Sequence, residues 1–377
     1  MGSEIIVVIV VATALIFDFT NGFHDTANVV ATSISTRAMP PRVAVGYAAI
    51  LNFVGAFVSL EVAATVAKDV VSIHANSIGL LAVFGGLVGA IAWNLVTWYV
   101  GLPSSSSHAL IGGMVGAVFV AEGHEAVFFQ EGILGKVMIP ALVAPVLAFI
   151  VGGFAILVLY RVVGRLRPGP VTGGFRLGQV ISGGLLALAH GTNDAQKTMG
   201  VITLALVANG TIAEDNFHVP DWVVVAAATA IALGTYVGGW RIIKTMGSRI
   251  HKMDAAQGFA AQGAGSTVIL AASHVGFPLS TTHTISGAVI GSGAAKRLSA
   301  VRWGVAGNIV VAWILTLPAA AVIGAFTFLL TRAFGTNAVG PIVVSAAILV
   351  GGAFLFTRRA REGVAPGVVP APGSPPP

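Results

Sequence analysis

Long runs of apolar residues cover most of the chain, and short polar segments separate them. Val43–Val66, Val137–Tyr160 and Trp303–Leu330 are each as long as a helix that crosses a bilayer. The alternation of apolar and polar residues that marks the strands of a membrane barrel does not occur. The pattern therefore predicts an all-α polytopic membrane protein.

The composition agrees with this interpretation. Of 377 residues, 56% are hydrophobic and 9% are charged, whereas a soluble domain has about 25% charged residues. The net charge of +6 does not indicate a nucleic-acid partner, because the basic residues gather in a few loops that act as topology signals. The absence of cysteine excludes disulfides, thiolate chemistry and cysteine metal sites.

Two polar clusters, Asn21–Asn28 and Ala189–Lys197, interrupt these apolar runs. Each contains one carboxylate, Asp25 or Asp194, where water is expected to be scarce. Burial of such a group costs several kcal/mol, so a carboxylate within a membrane segment is by default a functional residue. Because glycine lets a backbone leave helical geometry, we expect each half to contain a broken helix, the first near Asn21-Gly22, whose freed peptide groups act as ligands.

Two further segments, Gly101–His108 and Gly276–His283, share the pattern Gly-x-Pro-x-Ser-x-x-His. Each lies between two apolar stretches and predicts the tip of a re-entrant helical hairpin, at about 80–121 and 258–296. The proline ends the incoming helix, and the following Ser and Thr residues begin a new one, with N–H groups and hydroxyls facing the site. Such tips suit a small oxyanion such as phosphate or sulfate.

The two pairs of motifs indicate a duplicated unit. Asp25 and Asp194 are 169 residues apart, and Pro103 and Pro278 are 175 residues apart. The order of the motifs is the same in both halves. The predicted organisation is a first inverted repeat at 1–160, a basic cytoplasmic connecting loop at 161–178, a second inverted repeat at 179–360, and a Pro-rich disordered tail at 361–377.

The basic residues predict the orientation of the chain. With the N-terminus outside and the C-terminus in the cytoplasm, sixteen of the 20 Lys and Arg residues lie on the inner side, as the positive-inside rule requires. The two halves then have opposite orientations. Inverted repeats with helices broken near the bilayer midplane are typical of transporters, so we expect a multi-pass protein of the cell membrane.

Carboxylates beside an anion need an explanation. They could hold a cation that travels with the anion, or accept a hydrogen bond from a protonated anion. The second alternative favours phosphate, because sulfate carries no proton at neutral pH. His24 can change its charge near neutrality, and Lys197, one turn from Asp194, could supply a fixed positive charge.

At these residues the sequence resembles the inorganic phosphate transporter family called PiT, whose signature is a duplicated G-x-N-D-x-x-N-like cluster with hairpin tips that read P-x-S-T-T-H. The resemblance covers the chain apart from its tail. It implies a phosphate symporter with an inverted-repeat fold, acting as a homodimer in the lipid bilayer without a cofactor. The binding residues at matching positions, with Ser107 added, are Asp25, Asn28, Ser105, Ser106, Ser107, Asn193, Asp194, Ser280, Thr281 and Thr282.

Three departures bear on the coupling ion. His24 stands where sodium-coupled members have Asn, Gln196-Lys197 replaces Ala-Asn, and Gln262 stands where Glu is expected. These changes predict a poor sodium site and resemble the bacterial low-affinity, proton-coupled branch, whose substrates include neutral metal–phosphate complexes. We hypothesise that His24, alone or with Asp25, carries the coupling proton. The predicted ion-coupling set is His24, Asp25, Lys197 and Gln262, with no resident metal.

Four rival interpretations remain. A sulfate permease or a sodium-coupled phosphate symporter could have the same fold, and a passive channel would differ only in lacking uphill transport. An intramembrane hydrolase would use Ser105 or Ser106 with His108. No G-x-S-x-G, H-E-x-x-H or P-loop pattern supports an enzyme, so the expectation is that the protein is not one.

Overall fold

The computed structural model describes the backbone of residues 2–361, with side chains from Ser3 to Val350 apart from Glu214. Its described part is helical, apart from one isolated bridge between Val71 and Val127. The predicted Pro-rich tail lies outside the described residues from position 362 onward. The helices are Gly2–Ser35 (α1), Pro41–Gly55 (α2), Glu61–Lys68 (α3), Ser77–Val100 (α4), Ser106–Glu122 (α5), Ile139–Val163 (α6), Pro168–Ala208 (α7), Asp221–Val237 (α8), Trp240–Lys244 (α9), Ala255–His274 (α10), Thr281–Lys296 (α11), Trp303–Arg332 (α12) and Val339–Arg361 (α13).

Four stretches are long and apolar enough to cross a membrane: Ser3–Ser35, Ser77–Val100, Phe129–Val163 and Trp303–Arg332. A π-helical segment extends the third of these in front of α6. A fifth candidate is α8 together with Trp240–Arg249, which meet at a bend of 60°. The prediction of an all-α polytopic membrane protein is confirmed.

The predicted helix breaks at the polar clusters are wrong. Helix α1 runs through Asn21-Gly22 without interruption, and α7 runs through Gly191 in the same way. A Cβ at Gly22 would lie 2.3 Å from the carbonyl oxygen of Ile231 on α8, and one at Gly191 would lie 2.1 Å from that of Asn52 on α2. These glycines therefore allow two helices to cross closely, which explains why they are there without a break in the helix.

The interruptions occur one element later in each half. Helix α2 ends at Gly55 and α3 begins at Glu61, so the predicted span Val43–Val66 is two helices. In the second half α8 ends at Val237, and Gly238, with a φ of 75°, leads into α9. A positive φ is a conformation that glycine adopts without strain. The interrupted helices are thus the ones that pack against the cluster-bearing helices.

The segment 161–178 is also different from the expectation of a loop. Helix α6 continues to Val163, and α7 begins at Pro168, so only four residues lie between the two helices. Proline is favoured at the first helical position, because its missing N–H has no partner there in any helix. Arg161 and Arg176 consequently lie within α6 and α7, and Arg165 and Arg167 lie in the short link between the two helices.

The two helical hairpins are present at 77–122 and 255–296, close to the predicted bounds. Helix α4 packs against α5, and α10 packs against α11. Both hairpins turn through a glycine in the left-handed region, Gly101 with φ 75° and Gly276 with φ 77°. Because only glycine adopts this conformation readily, the two turns are built in the same way. That the hairpins are re-entrant stays a prediction.

The packing exchanges elements between the halves. Helix α1 packs against α8 while α7 packs against α2, and α5 packs against α12 while α11 packs against α6. The first hairpin therefore rests on α12 and the second on α6, a helix from the opposite part of the sequence in each case. A duplicated unit would produce this pattern, and both the repeat and the opposite orientation of its halves in the membrane stay predictions.

Candidate functional site

Both polar clusters and both hairpin tips meet in the buried centre. Thr282 Oγ1 lies 3.4 Å from Asp25 Oδ1, and Thr281 Oγ1 donates to Asp194 Oδ2 at 3.1 Å. All four side chains are at most 2% exposed. The first residues of α11 thus contact a carboxylate from each half, as the sequence predicted for residues of a common site.

His24 is the centre of the first cluster. Its Nδ1 lies 2.6 Å from Asp25 Oδ1, and its Nε2 lies 3.1 Å from Thr97 Oγ1. The first hairpin approaches the same ring, with Ser104 Oγ 3.3 Å from Nε2 and Ser106 Oγ 3.4 Å from Nδ1. The imidazole therefore links α1 to the end of α4 and to the first hairpin tip.

Lys197 is the centre of the second cluster and is 1% exposed. Its ammonium donates to Asp194 Oδ1, to Ser107 Oγ at 2.6 Å and to the carbonyl oxygen of Leu279 at 2.7 Å. Ser107 in turn donates to the same carbonyl at 3.1 Å. One buried cation thus ties α7 to both hairpin tips.

His190 completes this second cluster. Its Nε2 lies 3.0 Å from Asp194 Oδ2, and its Nδ1 lies 3.2 Å from Asn52 Oδ1 on α2. Ligand atoms of Asp25, His190 and Asp194 all lie within 4.8 Å of one another. Two carboxylates and an imidazole are a donor set that can hold a cation, and Lys197 already compensates one of the charges.

The serines of the predicted binding set do not all have the same role. Ser105 Oγ accepts from the backbone N–H of His108 at 3.1 Å, and Ser280 Oγ accepts from that of His283 at 3.2 Å. Both are N-caps, which satisfy N–H groups that have no partner within the helix. Their hydroxyls complete α5 and α11, and the residues that follow them present the first-turn N–H groups to the site.

The two asparagines of the predicted set hold the second hairpin. Asn28 Nδ2 donates to Thr282 Oγ1 at 2.8 Å, and Asn193 Nδ2 donates to Ser273 Oγ at 2.8 Å and to the carbonyl oxygen of Phe277 at 3.2 Å. The Oδ1 atoms of both are buried without a hydrogen-bond partner among the described residues. The two amides thus brace the second hairpin through their N–H groups, and each keeps a buried acceptor oxygen without a described partner.

Gln262 does not join the other ion-coupling candidates. Its Nε2 donates to Thr32 Oγ1 and to Ser33 Oγ, each at 2.7 Å, and its Oε1 accepts from Ser182 Oγ at 2.8 Å. Thr32 lies about 10 Å along α1 from Asp25, since each helical residue rises about 1.5 Å. The described contacts of Gln262 link α10 to α1 and α7.

Gln196 likewise points away from the site. Its Oε1 accepts from the backbone N–H groups of Val62 at 2.8 Å and Ala63 at 3.2 Å, where α3 begins. The side chain therefore caps a helix of the other half. Gln196, which departs from the family motif, thus contributes to helix packing, and no described side-chain contact joins it to Asp194.

The described contacts do not pair the hydroxyl of Ser105 or Ser106 with the imidazole of His108, as the hydrolase alternative requires. The ring of His108 lies edge-on to the ring of His283 with centroids 4.7 Å apart, and His283 stacks on Trp313 at 4.0 Å. Ser105 uses its oxygen as a helix cap. A nucleophile needs a base within hydrogen-bond reach of its hydroxyl, and none of the described contacts joins a tip serine to His108 in this way.

The sequence interpretation missed Asp18 and gave no role to His190 or Thr97. Asp18 is fully buried on α1, and neither of its oxygens has a hydrogen-bond partner among the described residues. Helical spacing could have found two of the three. Asp18 precedes Asp25 by seven residues and His190 precedes Asp194 by four, so each pair shares a helix face.

The site can bind an oxyanion and compensate a second charge. First-turn N–H groups, hydroxyls and an ammonium are donors for phosphate-like oxygens. The carboxylates accept hydrogen bonds from a protonated anion or bind a cation. In the described conformation Thr281 donates to a carboxylate and Asn28 donates to Thr282, so an anion would take over donors that now have protein partners.

Comparison with known proteins decides the family. Residues 21–324 match the model of the phosphate transporter family. The chain belongs to this family. A relative from Mycobacterium tuberculosis (strain ATCC 25618 / H37Rv), named "probable low-affinity inorganic phosphate transporter", is 52% identical over 330 residues, which cover 88% of this chain and 78% of the relative.

Other members of the phosphate transporter family agree with this. Relatives of the same name from Rhizobium meliloti and Bacillus subtilis are 48% and 42% identical and cover 84% and 86% of this chain and 94% and 96% of their own. A solved structure titled "The sodium-dependent phosphate transporter" superposes with a TM-score of 0.77 at 23% identity, covering 87% of this chain and 99% of that one. The fold is therefore shared, and the resemblance to the PiT family is confirmed. Membership of a transporter family also confirms that this chain is not an enzyme.

Proposed function

We propose that this chain is a secondary active symporter that moves inorganic phosphate with low affinity, together with protons. The observation that carries the proposal is the meeting of two hairpin tips, a titratable imidazole and a buried ammonium around the carboxylates Asp25 and Asp194. The names of the relatives in three bacterial genera support phosphate as the substrate.

Phosphate would bind between the tips of the two hairpins. Ser106 and Ser107 begin α5, and Thr281 and Thr282 begin α11, so both first turns direct N–H groups to the centre. Phosphate oxygens would take over the hydroxyls that now bind the carboxylates, and Asp25 and Asp194 would accept the hydrogen of HPO4²⁻ or H2PO4⁻. The N-caps Ser105 and Ser280 would position these turns, and Asn28 and Asn193 would brace the second one.

His24 would carry the coupling proton, alone or with Asp25. A protonated imidazole donates from both nitrogens, to Asp25 Oδ1 at 2.6 Å and to Thr97 Oγ1 at 3.1 Å. Loss of the proton removes one donor and leaves Asp25 as an uncompensated charge. The protonation of His24 would thereby set the charge of the phosphate site.

Lys197 favours protons over sodium as the coupling ion. Its ammonium occupies the oxygens of Asp194, Ser107 and Leu279. A carboxylate, a hydroxyl and a carbonyl are hard oxygen ligands of the kind that bind small metal cations. With a tethered cation on them, a sodium ion would meet a like charge. A divalent metal entering as a neutral complex with phosphate would instead use Asp25, His190 and Asp194.

The architecture proposed for this function has two inverted halves. Residues 1–160 and 179–360 would form the repeats, each with a re-entrant hairpin, and the segment between them would lie in the cytoplasm. The N-terminus would lie outside and the C-terminus in the cytoplasm of a cell-membrane homodimer. The exchanged packing of the halves and the distribution of basic residues support this arrangement.

The decisive experiment is uptake of radiolabelled phosphate into proteoliposomes with imposed proton or sodium gradients. We expect uphill uptake with an inward proton gradient, no effect of sodium and no competition by excess sulfate. Uptake driven by sodium would overturn the proposed role of Lys197. Sulfate uptake without phosphate uptake would identify a sulfate permease, and movement that only dissipates gradients would identify a channel.

A further inference from the structure

Asp18 has the least satisfied charged side chain in the described part of the chain. Three aspartates, Asp18, Asp25 and Asp194, are buried to at least 98%. Asp25 lies against His24, and Asp194 lies against Lys197 and His190. Asp18 has no cationic partner among the described residues, and its oxygens make no hydrogen bond of ordinary geometry, although the Thr198 hydroxyl lies close enough to act on it. A carboxylate without a cation or an ordinary hydrogen bond is expensive to keep ionised away from water.

The neighbourhood of Asp18 offers one suitable partner for an acid. Thr198 on α7 approaches Asp18 closely enough to influence its carboxyl group. Thr198 Oγ1 is itself a buried atom without a hydrogen-bond partner. A protonated Asp18 has an O–H that can donate to Thr198 Oγ1, whereas an ionised Asp18 could only accept from the Thr198 hydroxyl and would keep a buried charge without a cation.

The charged groups around Asp18 come from α7. Asp194 and Lys197 act on it with opposite signs, and because they already pair with each other, they supply little net positive charge. Of the other helices packed against α1, α4 has no charged or histidine side chain, and α2 has Arg42 and Tyr47 near its beginning. The remaining titratable groups on α5 and α8 are His108, Glu122, Asp221 and Tyr236.

Asp18 is continuous with the substrate site. Asp18, Asn21, Asp25 and Asn28 follow one another at intervals of three or four residues, which places them on one face of α1. Asp18 and Asp25 are about 10 Å apart along the axis. Asn21 Oδ1, between them, is buried without a described partner. A polar stripe therefore leads from Asp18 to the carboxylate that faces phosphate.

From this geometry we infer that Asp18 holds a proton on its carboxyl group in the described conformation and is a second proton-binding site of the transport cycle, separate from His24. The inference rests on the proposed proton-coupled phosphate transport. The proton enters and leaves as H⁺, and the O–H bond of Asp18 forms and breaks without any other covalent change. Neutral Asp18 lets the site pass through the membrane without an extra buried charge.

The first test is infrared spectroscopy of the full-length protein in lipid at neutral pH. We expect a C=O stretch of a protonated carboxylic acid in the wild type and its loss in Asp18→Asn, while Asp221→Asn, which changes an exposed aspartate, leaves the band unchanged. A wild-type spectrum that matches the Asp18→Asn spectrum would overturn the inference. If Asp18→Asn does not fold, Thr198→Val keeps the acid and should shift the band, and an unshifted band counts against the pairing.

The second test measures protons taken up per phosphate in proteoliposomes. Asn cannot release or bind the proton, so Asp18→Asn should retain exchange of labelled for unlabelled phosphate and carry one proton fewer per phosphate than the wild type. An unchanged ratio would refute the coupling role of Asp18. A wild type that exchanges no phosphate would instead refute the proposed function, and the infrared result would still decide whether Asp18 holds a proton.

Discussion

The two polar clusters occupy corresponding helices but contain different chemistry. On α1, Asp25 pairs with the imidazole of His24. On α7, Asp194 pairs with Lys197, whose ammonium also binds both hairpin tips. Gly22 on α1 and Gly191 on α7 have the same role, because each allows another helix to cross closely. The two clusters therefore share a close helix crossing, and the proposed function gives the first cluster a variable charge and the second a fixed one.

The largest effect is expected where the fixed charge is removed. Lys197→Met leaves Asp194 buried with His190 and Thr281 as its remaining partners, and loss of one member of a buried ion pair costs about 3–5 kcal/mol. We expect a much less stable protein with no measurable phosphate uptake, as followed by thermal unfolding in detergent and by proteoliposome uptake.

A double variant separates this charge effect from simple loss of packing. Asp194→Asn combined with Lys197→Met removes both charges, so no unpaired charge stays buried. The double variant should therefore recover most of the stability lost in Lys197→Met. A double variant as unstable as Lys197→Met would show that the ion pair is not the cause.

The next effect tests whether the two crossings are equivalent. Gly22→Ala and Gly191→Ala each place a methyl group within 2.3 Å of a backbone oxygen on the crossing helix. Overpacking of this kind costs about 1–3 kcal/mol, so both variants should lose stability by similar amounts in denaturation. Gly46→Ala is the matched control, since its Cβ would meet only a Tyr236 ring carbon at 4.0 Å. Equal melting of all three variants would contradict the close crossings.

A smaller effect is expected at the two threonines that contact the two carboxylates. Thr281→Val removes a donor from Asp194, and Thr282→Val removes the contact with Asp25 and an acceptor of Asn28. Each lost hydrogen bond costs about 1 kcal/mol, or several-fold in affinity. We expect a higher KM for phosphate in both variants, whereas Thr267→Val, an exposed position on α10, should behave as the wild type. An unchanged KM in both would place phosphate elsewhere.

The smallest effect is expected at Gln262. Its described partners are Thr32, Ser33 and Ser182. Thr32 and Ser33 lie about two helical turns from Asp25 along α1. Gln262→Glu should therefore leave the coupling ion unchanged, with uptake still indifferent to sodium. Uptake that becomes sodium-dependent in this variant would return Gln262 to the ion-coupling set predicted from the sequence.

The sequence motifs predicted the helices and the hairpins because both depend mainly on residues that are close together in the chain. Long apolar runs predict helices in a membrane, and a Pro followed by Ser and Thr predicts a turn that starts a new helix. Both hairpins follow from that pattern, whereas Ser105 and Ser280, predicted as binding residues, are N-caps in the structure. The positions of Asp25 and Asp194 at one centre follow from the repeat.

The features that the sequence did not predict depend on the partner helix. Gly22 permits either a break or a close crossing, and only the presence of Ile231 beside it decides between them. The capping of α3 by Gln196 joins residues 134 positions apart, so no local pattern contains it. Asp18 was overlooked because it lies within an apolar run, and its isolation becomes visible only when its surroundings are known.

The pH dependence of phosphate uptake in His24→Gln tests most directly whether the variable charge belongs to the first cluster. Glutamine can keep hydrogen bonds to Asp25 and Thr97 but cannot take up a proton. We predict that uptake by the wild type rises as the external pH falls through neutrality and that the His24→Gln profile is flat over this range. A His24→Gln profile that follows the wild type would contradict the account.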